Sequence, residues 1–290
     1  METRKRRWGD RKDGYRLHGL DPMHAFVPYL MPNRADNEAF IQEQVDLTNL
    51  LAYLDKKNEN ETDFKYTMFH VIAAAIVKTV VLRPHLNRFI KGCRVYQRND
   101  ISLAFVVKKE FNDESHEALA FIKFDENSTV DSVHELIKKE VRTCRSDKLD
   151  NSTQGMDMLS KLPRWFMRIV MAILRRLDFY GRVPDSLIKT DPNHATVFIS
   201  NLGSIKLNAG YHHLTNWGTN SVFIVIGAKH KAPFYDDDGN VEMRTVLELG
   251  LTLDERISDG YYYSKSVQLF KHLLTHPELL ELPAKEEVKI

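Results

Sequence analysis

The sequence predicts one α/β domain. Three observations predict it: β-patterned runs alternate with helical ones along the chain, the helix-period segments carry broad apolar faces, and no repeat, low-complexity tract or interdomain linker divides them. At 290 residues and 43% hydrophobic composition, such a chain can build a substantial core.

Residues 1–22 are charged and glycine-containing, without a sustained period, and read as a leader; the domain is expected over 23–290. Residues 38–46 alternate apolar and polar side chains, which predicts a half-buried strand. Residues 67–83 are apolar on nearly every side and end at Arg83-Pro84, so a buried helix stopped by proline is expected. Residues 95–107 and 118–124 are β-like, with polar residues 111–117 as the connecting turn. Across 129–144, Val133, Leu136, Ile137 and Val141 recur at helical spacing, and Asp131 lies in the first turn. Strands follow at 195–200, 221–228 and 243–253, with Asp237-Asp238-Gly239-Asn240 turning between the last two. That acidic run is turn chemistry rather than a calcium site, since further oxygen ligands at loop spacing are missing. Asp259-Gly260 opens a last helix that runs to about His276 and stops at Pro277.

Forty-one basic and 40 acidic side chains leave a net charge of +1, which argues against a dedicated nucleic-acid binder. The run Arg4-Lys5-Arg6-Arg7 reads as a solvated terminus. Cys93 and Cys144 stand far apart and outside any Cys-x-x-Cys pair, so they are expected to be reduced thiols, and no metal is expected. No apolar core follows the basic N-terminus, and no uncharged run approaches the ~20 residues that cross a bilayer. The expected location is cytoplasmic.

Residues 162–180 form a separate problem. Pro163 suits a first helical turn and Gly181 a helix end, while Arg164, Arg168, Arg175 and Arg176 border an apolar surface of Trp165, Phe166, Ile169, Val170, Ile173, Leu174 and Leu177. Contact of the Trp165 helix with an anionic membrane surface or a partner's groove is one reading. The favoured one is a helix that covers its own domain or a neighbouring subunit, because amphipathic helices of globular proteins are far commoner.

Near the C-terminus the chain reads Leu253-Asp254-Glu255-Arg256-Ile257-Ser258-Asp259-Gly260. This resembles the Asp-His-Arg-x-x-Asp-Gly motif of the catalytic domains of dihydrolipoyl acyltransferases of 2-oxo acid dehydrogenase complexes and their chloramphenicol acetyltransferase relatives. Glu255 occupies the histidine position. Residues 196–203, Thr-Val-Phe-Ile-Ser-Asn-Leu-Gly, resemble the same family's serine strand, and residues 221–228 its apolar strand ending in Gly-Ala. Upstream, Val45-Asp46-Leu47-Thr48-Asn49-Leu50, the helix at 69–83 with Pro84-His85-Leu86-Asn87, and the segment around Asp100-Ile101-Ser102 are similar to family blocks in the same order.

The resemblance implies a chloramphenicol acetyltransferase-like α/β fold, a mixed β-sheet flanked by helices. It implies a homotrimer whose sites lie between subunits and act on an acyl thioester, with coenzyme A or acyl-coenzyme A as substrate. Ser200 would donate to the oxyanion, Asn201 and Gly203 would support it, Asp259 would be mainly structural, and Gly260 would allow close packing. The length leaves no room for the family's lipoyl or subunit-binding domains, so no covalently attached lipoyl group is expected and the acyl group must come from a separate carrier or a free thioester.

Glu255 keeps two readings open. An ordinary carboxylate titrates near ~4.3 against ~8.5 for a thiol, a shortfall of roughly 5.5 kcal/mol in proton-transfer driving force, although full burial can raise a glutamate to about 8–9. One reading is therefore an acyltransferase with a retuned base. The other is a catalytically inactive homologue, a pseudoenzyme serving as a trimeric acyl-thioester-binding or regulatory scaffold. His212 or His213 is an alternative base; read as neighbours in a hairpin strand, they point to opposite faces and at most one serves.

Overall fold

The computed structural model describes residues 7–108, 117–145, 161–188, 191–235 and 238–289. In chain order the elements are β1 (Gly14–Arg16), α1 (Pro22–Leu30), β2 (Glu38–Asp46), α2 (Thr48–Lys57), α3 (Met68–Leu82), β3 (Arg88–Lys91), β4 (Arg94–Arg98), β5 (Ile101–Lys108) and β6 (Glu117–Phe124). They continue with α4 (Val130–Arg145), α5 (Arg164–Phe179), α6 (Asp185–Ile188), β7 (Val197–Asn201), β8 (Val222–Ile226), β9 (His230–Tyr235), β10 (Val241–Asp254) and α7 (Gly260–Thr275). A seven-stranded sheet runs β2-β10-β8-β7-β5-β6, with β9 also paired to β10, and a three-stranded sheet runs β1-β4-β3. The large sheet is mixed: β5, β7 and β8 are parallel, and the other pairs are antiparallel.

Apolar patterning decides which face meets the helices. Val197 and Ile199 of β7, Ile224 of β8 and Leu249, Leu251 and Leu253 of β10 share one core with the buried helix α3. α3 packs against α4, α7 and β5. Thr67 opens it, its backbone N–H donating to His70 Nδ1 at 2.9 Å, and Arg83-Pro84 closes it. Lys78, buried on this helix, donates from Nζ to the Pro283 carbonyl at 2.9 Å and so ties down the C-terminal tail. On the other sheet face a small cluster of Leu214, Phe223 and Val225, with Phe198 and Leu202 against it, is covered by a loop rather than by helices.

Two strand expectations need correction. The β-like run 95–107 is two strands in different sheets, separated by a bend at Asn99-Asp100; a change of pairing partner leaves no mark on β-propensity. Between 221–228 and the last strand lies β9, which forms the hairpin with the first half of β10, Met243 opposite Pro233. Its proline and lysine hide it in the sequence, and it tolerates that proline at the end of the pairing order. Within the hairpin turn, Asp237 lies outside the described residues, as do Arg4, Lys5 and Arg6 of the basic run.

Part of the charged leader is built in. β1 pairs with β4, and the buried Arg11 pairs with Asp13 at 2.8 Å and with Asp178 at the end of α5 at 3.3 Å. On α5, Trp165, Ile169 and Ile173 are 66%, 49% and 55% exposed in the single chain, which leaves a neighbouring subunit as the cover that was expected. That face does not cover its own domain. Asp178, fully buried against Arg11, Lys91 and His194, anchors the helix by its C-terminal end. No helix among the described residues is long and apolar enough to cross a membrane.

Candidate active site

Ser200 lies near the C-terminal end of β7, in register with Val225 of the parallel strand β8. Side chains alternate across a strand, so Ser200 shares the loop-covered face with Phe198, while Val197 and Ile199 point into the core. Among the described residues its hydroxyl makes no hydrogen bond. Asn201 then ends the strand: its side chain accepts from the Ser204 backbone N–H at 3.3 Å and caps the 3-10 turn Leu202–Ile205. Gly203 is required for space, since a Cβ there would sit 2.4 Å from the Gly227 carbonyl oxygen.

Residues 207–221 are a strap without regular structure, laid across this sheet face. Glycines let the backbone descend onto the strands: a Cβ on Gly227 would meet the Ala209 nitrogen at 2.4 Å, and one on Gly250 the Gly210 oxygen at 2.0 Å. The strap is pinned by the Asn193 carbonyl, which accepts from Thr219 and Asn220 N–H at 2.8 Å, and by the Arg34 guanidinium, which donates to the Thr215 carbonyl at 2.6 Å. It carries His212 onto the sheet, where the imidazole stacks on Phe223 with centroids 4.2 Å apart. Phe223 in turn stacks on Phe198 at 4.8 Å.

The strap corrects the reading of the histidine pair. The alternation rule fails outside a strand: His212 and His213 stack on each other at 4.6 Å, and both line one cleft together with Ser200 and Asn201. That cleft has a volume of about 530 Å³. Its apolar wall includes Phe105, Phe198 and Phe223, and Lys108 and Arg145 add basic groups.

His70 also lines the cleft, and the sequence reading missed it. Its Nδ1 accepts from the Thr67 N–H, so the proton sits on Nε2, which is buried without a partner among the described residues. Burial, reinforced by the neighbouring His134, pushes its pKa down to about 3. The only sequence signal for it was a histidine three residues after a helix-capping threonine.

The Glu255 turn is built differently. Asp254 and Arg256 form a buried bidentate pair, with Arg256 Nε at 2.8 Å from Oδ1 and Nη2 at 2.7 Å from Oδ2. Arg256 also donates to the Met31 and Pro32 carbonyls at 2.9 and 3.1 Å, and Tyr263 donates its hydroxyl proton to the Asp254 carbonyl at 2.7 Å. Glu255 is held by its backbone, whose N–H donates to the Asn37 carbonyl at 2.9 Å, and its side chain is exposed. Asp259 accepts from the Tyr262 N–H at 2.8 Å as the N-cap of α7. Gly260 departs from expectation: a Cβ there would meet no atom within 4 Å, so close packing inside the chain does not explain this glycine.

A single chain does not bring Ser200 and Glu255 together. β10 runs antiparallel to β8 with Leu253 opposite Val222, whereas Ser200 is opposite Val225. Three residues along β8 and two beyond Leu253 separate the ends, roughly 16 Å at ~3.3 Å per strand residue. Among the described residues no group of three or more His, Cys, Asp or Glu side chains could hold a metal ion.

Residues 184–282 match the family model for the 2-oxoacid dehydrogenases acyltransferase (catalytic domain). That segment contains the Ser200 strand, the strap and the Glu255 turn. Solved structures extend the likeness along the chain. A dihydrolipoamide acetyltransferase of Azotobacter vinelandii, studied for the roles of a serine, a histidine and an asparagine in its catalysis, is similar with a TM-score of 0.61 and 15% identity, covering 92% of this chain and 95% of its own. A probable dihydrolipoamide acetyltransferase from Listeria monocytogenes 4b F2365 gives 0.59 and 15%, covering 90% and 94%. A chloramphenicol acetyltransferase gives 0.56 and 10%, covering 91% and 98%. No curated protein matches the chain. The fold is the one that these acetyltransferase structures share. The chain is recognised as a relative of the 2-oxoacid dehydrogenase acyltransferase catalytic domains, through the family match over its C-terminal third and the shared fold along its length.

Proposed function

We propose that this chain transfers an acyl group between a thioester and a thiol or hydroxyl acceptor, with coenzyme A or acyl-coenzyme A as substrate and Ser200 as the oxyanion donor. One observation carries the reading: the Ser200 hydroxyl faces a cleft of about 530 Å³ and is not consumed by any described group. A purely structural serine at a strand end is ordinarily satisfied by backbone. An uncommitted donor beside space for a substrate suits stabilisation of charge that develops only in the transition state.

The spacing of the turn supports the same reading. The Azotobacter enzyme's histidine and asparagine stand four residues apart, as Glu255 and Asp259 do here. We propose a homotrimer, the assembly that the family resemblance implies; Ser200 and Glu255 lie at opposite ends of one sheet, so no single chain brings them together. The exposed, unpartnered carboxylate of Glu255 favours the second reading, an inactive homologue that keeps a thioester-binding cleft.

Thioester cleavage over a panel of acyl-coenzyme A donors tests the proposal. Ser200→Ala is expected to lower kcat by about 10²–10³-fold with little change in KM, as removal of an oxyanion donor does. Binding of acyl-coenzyme A by wild type with no turnover, unchanged in Ser200→Ala, selects the scaffold.

A further inference from the structure

We infer that the general base of this site is His212, supplied by the same chain as Ser200, and not Glu255. The inference rests on the acyl-transfer reading and names the proton acceptor that the reading leaves open.

The His212 tautomer is set by its surroundings. Nδ1 lies 2.9 Å from the His213 carbonyl oxygen, and a carbonyl only accepts, so Nδ1 carries the proton and Nε2 presents a lone pair. The ring plane is set as well, because His212 is stacked on Phe223 with 6° between planes and on His213 with 22°. An imidazole with one nitrogen bonded to a fixed acceptor and the other free is a base already in its working form.

Its position matches the chemistry. Phe223 pairs with Phe198, and Ser200 lies two residues further along the same face. The imidazole lies over Phe223 of β8, so its offset from Ser200 on β7 combines one strand repeat, roughly 7 Å along the sheet, with at least one strand spacing, ~4.8 Å, across it. That gap accommodates a thioester carbonyl and an attacking sulfur or oxygen between the two groups. His212 Nε2 takes the proton from the acceptor thiol or hydroxyl, and the sulfur or oxygen attacks the thioester carbon. The C=O electron pair moves to oxygen, where Ser200 donates a hydrogen bond. Collapse re-forms C=O and breaks the C–S bond, and the departing thiolate recovers the proton from the imidazolium. Glu255 of the same chain lies roughly 16 Å further along the strands and two strand spacings, ~10 Å, across them, out of reach of this step.

The test combines transfer kinetics with covalent mapping on the full chain. His212→Ala and His212→Phe, the latter keeping a ring against Phe223, are each expected to lose about 10²-fold or more in kcat, while Glu255→Gln stays within about twofold. Bromoacetyl-coenzyme A should alkylate His212 Nε2 with loss of bromide, read by peptide mass mapping and prevented by free coenzyme A. Retained transfer in both His212 variants, or alkylation at Glu255 or at neither residue, overturns the assignment. If Ser200→Ala abolishes transfer while the His212 variants keep it, the His212 assignment alone fails; if wild type shows neither turnover nor protected labelling, the acyl-transfer reading fails with it.

Discussion

The two ends of the central sheet treat polar groups in opposite ways. At the Glu255 turn the buried charges are matched: Asp254 and Arg256 pair bidentately, Arg256 also satisfies two carbonyls, and Asp259 caps a helix. Glu255 points outward without a side-chain bond among the described residues, whereas the exposed Asp259 is engaged as the cap. At the Ser200 end a hydroxyl and an imidazole lone pair on His212 open toward one cleft, and His70, which also lines it, keeps a buried Nε2 without a partner among the described residues. A saturated turn is explained by stability alone. Polar groups left open in a cleft cost stability, and such arrangements concentrate where ligands bind. On the proposed reading, the motif that looks most catalytic in the sequence is the more structural of the two regions.

Mutations sharpen or break this contrast. The largest effect is expected at the turn: Arg256→Met leaves the buried Asp254 carboxylate with only Arg34 Nε, 3.5 Å away, as a counter-charge, and urea denaturation at neutral pH should show a loss of about 3–5 kcal/mol. A loss below about 1 kcal/mol would mean that the turn is not held by this pair. Next comes the pH response at the cleft. His70 stays neutral in the fold down to about pH 3, so as pH falls through about 6.5 the unfolded chain takes up this proton first and stability drops. The decline from this group should be on the order of 4 kcal/mol by pH 3. His70→Gln keeps an acceptor for the Thr67 N–H and should flatten that part of the profile; an unchanged slope would remove His70 from the account.

A smaller effect is expected from Asp259→Ala, about 1 kcal/mol, the usual worth of a lost N-cap, with α7 fraying from its first turn in hydrogen exchange. The smallest is Glu255→Gln, which should leave folding stability within about 0.5 kcal/mol, as for other exposed side chains. A drop of several kcal/mol on Glu255→Gln would show that the carboxylate is buried and paired in the assembled protein, and would restore it as a candidate base.

Much of the site was legible in the sequence because it is local. The Ser200 strand, the Asp-Gly turn and the helix stopped by Pro84 are each written in consecutive residues, and the alternation over 38–46 marks β2 to its ends. The histidines were misread because the alternation rule was applied to 211–213, where the chain crosses strands instead of joining them. The glycines that permit the crossing, Gly227 and Gly250, are distant in sequence, and nothing near His212 announces them. α5 shows a related limit: its pattern correctly shows a broad apolar surface, but periodicity does not say whether the chain's own domain or a neighbouring subunit covers it.

By itself, then, the sequence determined the α/β class, the places of the main helices, and the residue types available for acyl chemistry, because these depend on short-range periodicity, capping and composition. Only the tertiary structure decided which of those residues meet. Register placed Ser200 beside Val225 and Glu255 at the other end of the same strands, and the passage of a loop over two glycines put His212 on Phe223 with its Nε2 free. Such meetings are fixed by long-range pairing and by the absence of side chains at points of close approach, neither of which has a period that a linear reading detects.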